Sequence, residues 1–354
     1  MVQKGYKVIG VMSGTSLDGI DLAYVEFLFD GQWQYRFLEC ETVPYDLYWQ
    51  ELLKNLVDLS PESLSEIDVS YTRYLSEIIR SFMAKHTIAH IDAICSHGHT
   101  ALHQPQNRLT YQIGNRPESA KHIGQKVVCD FRSQDVALGG QGAPLVPIGD
   151  RLLFGNYDFC LNLGGFANIS TEKDGKRIAF DICPVNIVLN HYANKLGKPY
   201  DENGRYASQG TVNEHLLERL NTLPFYRKTP PKSLGLEWVR EEVFPILEQS
   251  GLSAEDVLAT FTRHIALQVR DVVGLLPGTK VLVTGGGAYN AHLLQSFRDL
   301  TACMFVVPSS QLVEFKEAMV FGFLGVLRLR GETNCLKSVT GASIDHCSGK
   351  IYQP

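Results

Sequence analysis

Two stretches of this chain follow the same plan. In the first, the apolar run Val8-Ile9-Gly10-Val11-Met12 is broken by Ser13-Gly14-Thr15-Ser16 and resumes over residues 20–27. In the second, Phe159-Cys160-Leu161-Asn162-Leu163 runs into Gly164-Gly165, and an apolar return occupies residues 167–170. Short apolar runs of this kind read as strands, and Gly, Ser and Thr between them read as a turn. Each half of the chain is therefore expected to open with a β-hairpin around a glycine turn.

The segments after the two hairpins are also alike. A third strand is expected over residues 35–43, and Ile67, Tyr71, Leu75, Ile78 and Phe82 then fall on one helical face. Residues 91–95 form a compact buried-strand candidate ending in Ser96-His97-Gly98. In the second half, a turn at residues 173–175 leads to a strand over 177–180 that ends at Asp181. A long helix over 254–275 precedes a strand over 281–284 closing on Gly285-Gly286-Gly287. Repeated α/β alternation of this kind predicts a duplicated α/β architecture with a cleft between the halves. The expected domains are residues 1–133, with 338–354 packed back on them, and residues 134–337.

Composition narrows the function classes. The chain has 354 residues, 44% hydrophobic and 20% charged, enough for about two domains of roughly 100–200 residues each. A net charge of −5 without a long basic run argues against a nucleic-acid partner. The first residues lack the apolar stretch and cleavage site of a signal peptide. No run approaches about 18 unbroken apolar residues, so no membrane span is expected. The eight cysteines are scattered singly with no CxxC pair, which reads as reduced thiols in a cytoplasm and not as a disulfide frame or a zinc site.

The chemistry concentrates in a few motifs. The turn from Gly10 to Asp21 holds three glycines and three hydroxyl residues, able to offer backbone N–H groups and hydroxyls to phosphate. Asp18 in it could carry magnesium through water. The same turn also reads as a plain solvated hairpin. His97, His99 and His103 read either as a loose metal cluster or as hydrogen-bonding pocket residues, the second being preferred for want of a nearby carboxylate or cysteine. Arg132 suits an anionic substrate group, or an ion pair with Asp130 or Asp135. Gly285, Gly286 and Gly287 permit close approach of a flat ring, or form a tight turn before a helix starting at Asn290. Asp181, at the end of an apolar strand, is placed to act as a general base or to cap the next helix.

The order and content of these motifs resemble one family. Residues 10–21, GVMSGTSLDGID, are similar to the opening signature of the anhydro-N-acetylmuramic acid kinases. Ser96-His97-Gly98-His99-Thr100 is similar to that family's SHGQT, and residues 130–132 with 139–147 resemble its DFR…GGQGAPLVP block. Residues 162–169 resemble NxGGxxNI, 231–235 resemble PKSTG, and 285–290 resemble GGGAxN; 338–342, SVTGA, match the end.

The resemblance implies two related ribonuclease-H-like (actin-like) α/β domains, ATP and magnesium, a small amino sugar as substrate, and a homodimer. It implies that Gly10, Ser13, Gly14, Thr15, Ser16, Asp18 and Gly19, with Asn162, Gly164, Gly165, Asn168 and Gly285–Gly287, serve ATP. It implies sugar contacts at His97, His99, Thr100, Arg132, Gln141, Asn186 and Glu317, and Asp181 as the base. It further implies water attack at C1 of a 1,6-anhydro sugar with phosphoryl transfer to O6. Other open readings are a related kinase of another sugar and an ATP-binding protein without catalysis.

The pattern is broken in one place. The family's FDTGPGN reads here Phe180-Asp181-Ile182-Cys183-Pro184-Val185-Asn186, Asn190 stands where Asp is usual, and His99 replaces Gln. Glycine tolerates positive φ and valine does not, so these changes are expected to alter the surroundings of the sugar.

Overall fold

A computed structural model describes residues 5–14 and 17–354. The chain divides into two compact units, Met1–Leu153 with Phe315–Pro354, and Phe154–Glu314.

The first unit is built on a sheet that begins with a meander. Strand β1 (Tyr6–Ser13) pairs antiparallel with β2 (Gly19–Phe29), which pairs antiparallel with β3 (Trp33–Pro44). β4 (Ala93–Gln104) then joins β1 in parallel on its other side, carrying β5 (Leu109–Ile113), and β6 (Val127–Cys129) extends the parallel part. β1 is covered on both faces, so Val8, Ile9 and Val11 are all buried, which is why it reads as an apolar run without alternation. The helix Pro61–Lys85 lays its stripe of Tyr71, Leu75, Ile78 and Phe82 on this sheet; Ser60 caps it by accepting from Ser63 N–H at 3.2 Å.

The second unit repeats the order. β7 (Phe159–Leu163), β8 (Phe166–Lys173) and β9 (Lys176–Pro184) form the meander, and β10 (Lys280–Thr284) and β11 (Met304–Val306) add in parallel beside β7. Counting strands within each unit, the second sheet runs 3-2-1-4-5 and the first runs 3-2-1-4-6 with β5 a side strand on β4, the ribonuclease-H-like arrangement. The helix Ala254–Val273 stops two residues short of the expected end. Gly274 takes φ 78°, a conformation that ends the helix and leaves Leu275 exposed.

Two boundaries fall elsewhere than the sequence placed them. Residues 134–153 and 315–337 sit in the first unit. The helix Ser310–Arg330 explains the second stretch: Phe323 lies 5.2 Å from Phe27 and 5.0 Å from Trp33, ring to ring, and Gly322 backs onto Val8 and Gly10. At the C-terminus, β12 (Lys350–Tyr352) pairs antiparallel with β6.

Candidate active site

In the first unit the predicted site residues gather around the ends of β1 and β4. Thr15 and Ser16 lie outside the described residues. Ser13 is buried, and its hydroxyl meets His99 Nδ1 at 2.7 Å and Tyr45 Oη at 2.6 Å; Tyr45 in turn meets Tyr71 Oη at 2.6 Å. Its side chain is therefore committed inward, and only its backbone remains to offer a phosphate. Burial pushes Tyr45 up to about 12 and His99 down to about 4, so the chain of hydrogen bonds is neutral throughout at pH 7.

Gly10 is likewise not a turn residue. It sits within β1, opposite Ala23 and Cys95, and any Cβ there would run into the carbonyl oxygen of Ala318. Gly19 is similar, with a Cβ due 2.6 Å from Val43 O. Gly14 and exposed Asp18 remain at the turn itself.

The two histidines of Ser96-His97-Gly98-His99 point to different partners, so they do not form a metal cluster. Arg132 Nε donates to His97 Nε2 at 2.9 Å. Arginine can only donate, so Nε2 is the acceptor and the His97 proton sits on Nδ1, 2.9 Å from Gly98 O. Burial, helped by the Arg132 charge, holds His97 well below its usual pKa. His103 lies apart, 3.1 Å from Thr110 Oγ1.

Arg132 also donates to Gly142 O at 2.6 Å, while Asp130 pairs with Lys350 at 2.7 Å. The arginine is thus anchored by a histidine and a carbonyl and not by either expected carboxylate. Glu317 is exposed; surrounding protein raises its pKa while Arg132 and Lys316 oppose that rise. Thr100 is half-buried on β4, and Gln141 is exposed, its N–H donating to Thr340 O at 2.8 Å.

In the second unit the two glycine turns come together. Gly285 follows β10 with φ 80°, where a Cβ would lie 2.5 Å from Asn162 Oδ1 and 2.9 Å from the Leu163 carbonyl carbon. Gly287 is also packed on Leu163. Gly286 differs: the nearest atom to a Cβ there is Asn186 Nδ2, 3.8 Å away. It lines a recess of about 420 Å³ with Asn186, Asn190, Asn203 and Tyr289. Asn186 donates to Leu163 O at 3.1 Å. The structure thus puts Asn186 beside the triple-glycine turn. The helix Ala291–Leu300 begins as expected, with Asn290 Oδ1 accepting from Leu293 N–H at 3.0 Å.

The Gly164-Gly165 turn is tied to the segment after β9. Gly165 O accepts from Val185 N–H at 2.8 Å and Gly164 O from Asn186 N–H at 3.3 Å. Asn162 and Asn168 face each other across the β7–β8 hairpin.

Asp181 does not end its strand, which continues to Pro184, and it caps no helix. Its carboxylate accepts from Leu234 N–H at 2.8 Å, and its own N–H donates to Lys232 O at 3.1 Å. The Pro231-Lys232-Ser233-Leu234-Gly235 segment therefore acts as a strap across β9 that orients the carboxylate. Partial burial raises its proton affinity, the Leu234 N–H opposing. Nothing in the sequence spacing could have joined residues 53 apart in this way.

The broken part of the family pattern has a structural answer. Ile182, Cys183 and Val185 are fully buried in the apolar core of the second unit, and Val185 takes φ −131°. None of the three has a positive φ. Cys183 and Val185 fill the core where the family pattern has glycines, and Ile182 puts an apolar side chain where it has a hydroxyl.

Comparison with known proteins agrees with this assembly. A family model described as anhydro-N-acetylmuramic acid kinase matches residues 6–354. An anhydro-N-acetylmuramic acid kinase of Sulfurimonas denitrificans is 32% identical, over 98% of this chain and 99% of its own length. One of Rhodopseudomonas palustris (strain BisB18) is 37% identical over the same shares, 98% and 99%. Among solved structures, a ROK family glucokinase from Streptomyces griseus matches at 13% identity and TM-score 0.40, over 90% of this chain and 98% of that one, too distantly to place any residue. With a family match along nearly its whole length, the chain belongs to the anhydro-N-acetylmuramic acid kinase family and is a sugar kinase.

Proposed function

We propose that this chain opens the 1,6-anhydro bridge of anhydro-N-acetylmuramic acid and phosphorylates O6 at the expense of ATP, giving N-acetylmuramic acid 6-phosphate. The setting would be the cytoplasm, in recycling of cell-wall fragments. The observation that supports this most is Asp181: a carboxylate of raised proton affinity that accepts from Leu234 N–H, on a residue whose own N–H donates to Lys232 O of the same strap. In the anhydro sugar O6 is bonded to C1 and has no proton to lose. Water must add to C1 as the C1–O6 bond breaks, and O6 then takes the γ-phosphoryl group while ADP leaves. Asp181 accepts the water's proton. The reaction joins sugar hydrolysis to phosphoryl transfer.

The other residues take supporting roles. The recess at Gly286, where no Cβ intrudes, suits the flat base and ribose of ATP. Backbone N–H groups of the Gly14 turn and of Gly164-Gly165 suit its phosphates. Asp18, exposed at its turn, fits a magnesium ion held through water, whose chemistry is to neutralise phosphate charge. Arg132 has spent two of its five donors on His97 and Gly142, leaving others for the lactyl carboxylate. Glu317, exposed near it, suits a sugar hydroxyl.

Heavy-oxygen water tests the reading. Turnover of the anhydro sugar should place the label at C1 of the phosphorylated product after a short quench that limits anomeric exchange. Asp181→Asn should lower kcat by roughly a hundred- to ten-thousand-fold, with far smaller changes in binding. Transfer without label at C1 would replace the anhydro substrate by a free sugar. Near-normal turnover of Asp181→Asn would remove the base.

A further inference from the structure

Away from these residues, in the first unit, three side chains of different chemistry converge. Asp135, Cys335 and His346 are 0%, 2% and 5% exposed, and their ligand-capable atoms all lie within 4.8 Å of one another. Among the described residues no other group of this kind occurs.

The backbone builds the cluster. Cys335 and His346 exchange both N–H···O bonds at 3.1 Å, an isolated antiparallel bridge that puts their side chains on one side. Asp135 reaches them from the short helix Ser133–Ala137, directly after Arg132. Its Oδ1 accepts from Thr340 Oγ1 at 2.7 Å and its Oδ2 from Gly142 N–H at 2.7 Å, which fixes the carboxylate's plane.

The decisive atom is His346 Nε2. His346 Nδ1 lies 3.2 Å from Ile344 O, so Nδ1 carries the proton and Nε2 presents a lone pair. That lone pair is buried and without a hydrogen-bond partner, and it faces Asp135 Oδ1 at 3.6 Å. Two acceptors that face each other in a dry interior need a cation between them, a proton or a metal. The Cys335 sulfur at the third corner favours a metal. Ligands bonded at about 2.0–2.3 Å to a tetrahedral ion stand roughly 3.3–3.8 Å apart, and the histidine-to-carboxylate distance falls in that range. The bonds to Asp135 and from Nδ1 of His346 are the outer support that metal ligands ordinarily have.

We infer that Asp135, Cys335 and His346 bind a divalent ion of the zinc class, tying the C-terminal segment to the short helix beside Arg132. A sulfur–nitrogen–carboxylate set is a poor match for magnesium, so this site is separate from any ion that accompanies ATP.

The full chain, stripped with a chelator, should be titrated with Co²⁺ and then Zn²⁺. The expected result is one Co²⁺ per chain with a thiolate-to-cobalt absorption band, displaced by Zn²⁺ and untouched by excess Mg²⁺. Cys335→Ser should abolish the band. Thr340→Val, which removes an outer support, should weaken Zn²⁺ binding roughly ten- to a hundredfold. Should Cys335→Ser fail to fold, the wild-type titration decides alone, with a Zn²⁺-dependent rise in melting temperature as its companion. The absence of a thiolate band in the wild type overturns the inference in favour of a proton shared by His346 and Asp135. So does a band that persists in folded Cys335→Ser, which would place the ion on another cysteine.

Discussion

In the first unit the residues around the β1 turn face inward: Ser13 hydrogen-bonds to His99 and Tyr45, and Gly10 makes room for the helix Ser310–Arg330. In the second unit the matching turn, Gly164-Gly165, is held by backbone bonds from Val185 and Asn186 and stands by a recess that Gly286 keeps open. Both units share the 3-2-1-4 order of their first four strands, yet one lines its β1–β4 end with a buried polar chain and the other with an apolar core and a pocket. A shared topology therefore does not assign shared work: Gly10 in one unit is a packing residue, while Gly286 in the other leaves a recess open.

Glycine substitutions test that contrast most strongly. Gly10→Val forces a side chain into the Ala318 carbonyl and should cost about 3 kcal/mol, read from the urea midpoint. A loss under about 1 kcal/mol would show that the helix can shift and that Gly10 is not a packing residue.

Acid sensitivity separates the two units less sharply. His99 titrates at about 4 when folded and at about 6.5 when unfolded, so the unfolded chain binds the proton first. Its contribution is present above pH 6.5 and is lost as pH falls toward 4, by up to about 3 kcal/mol. His264 in the second unit, buried between Asn221 and Tyr226, is held at about 3 and acts in the same direction. His99→Gln should therefore flatten, without abolishing, the fall in stability between pH 6.5 and 4. An unchanged slope would remove His99 from the account.

Val185→Ala should cost about 2 kcal/mol, from about 0.8 per lost methylene-sized group plus the cavity, with the sugar KM unchanged. A shifted KM at unaltered stability would return this position to the pocket. The mildest effect on folding is expected at Gly286. Gly286→Val should stay within about 0.5 kcal/mol of wild type in stability. It should weaken ATP binding at least tenfold, about 1.4 kcal/mol by calorimetry. Unchanged affinity would move the nucleotide elsewhere.

The hairpins, the third strands, two of the three long helices and the family were legible in the amino-acid order, because they rest on local pattern: apolar runs, alternation, caps and motif order; the helix Ser310–Arg330 was not. The same order singled out Asp181 and Arg132 as chemical residues. Where β4 and β9 stop was less legible: Ser96–Gln104 and Ile182–Pro184 remain in strands, with His99–Gln104 pairing β5 and Cys183–Pro184 pairing β8. Packing was needed to seat Arg132 on His97, to aim the Leu234 N–H at Asp181, and to turn Ile182, Cys183 and Val185 into a core. Packing alone brought Asp135 to Cys335 and His346. Each of these depends on which way a side chain points after distant segments have packed, and local propensity carries no record of that direction.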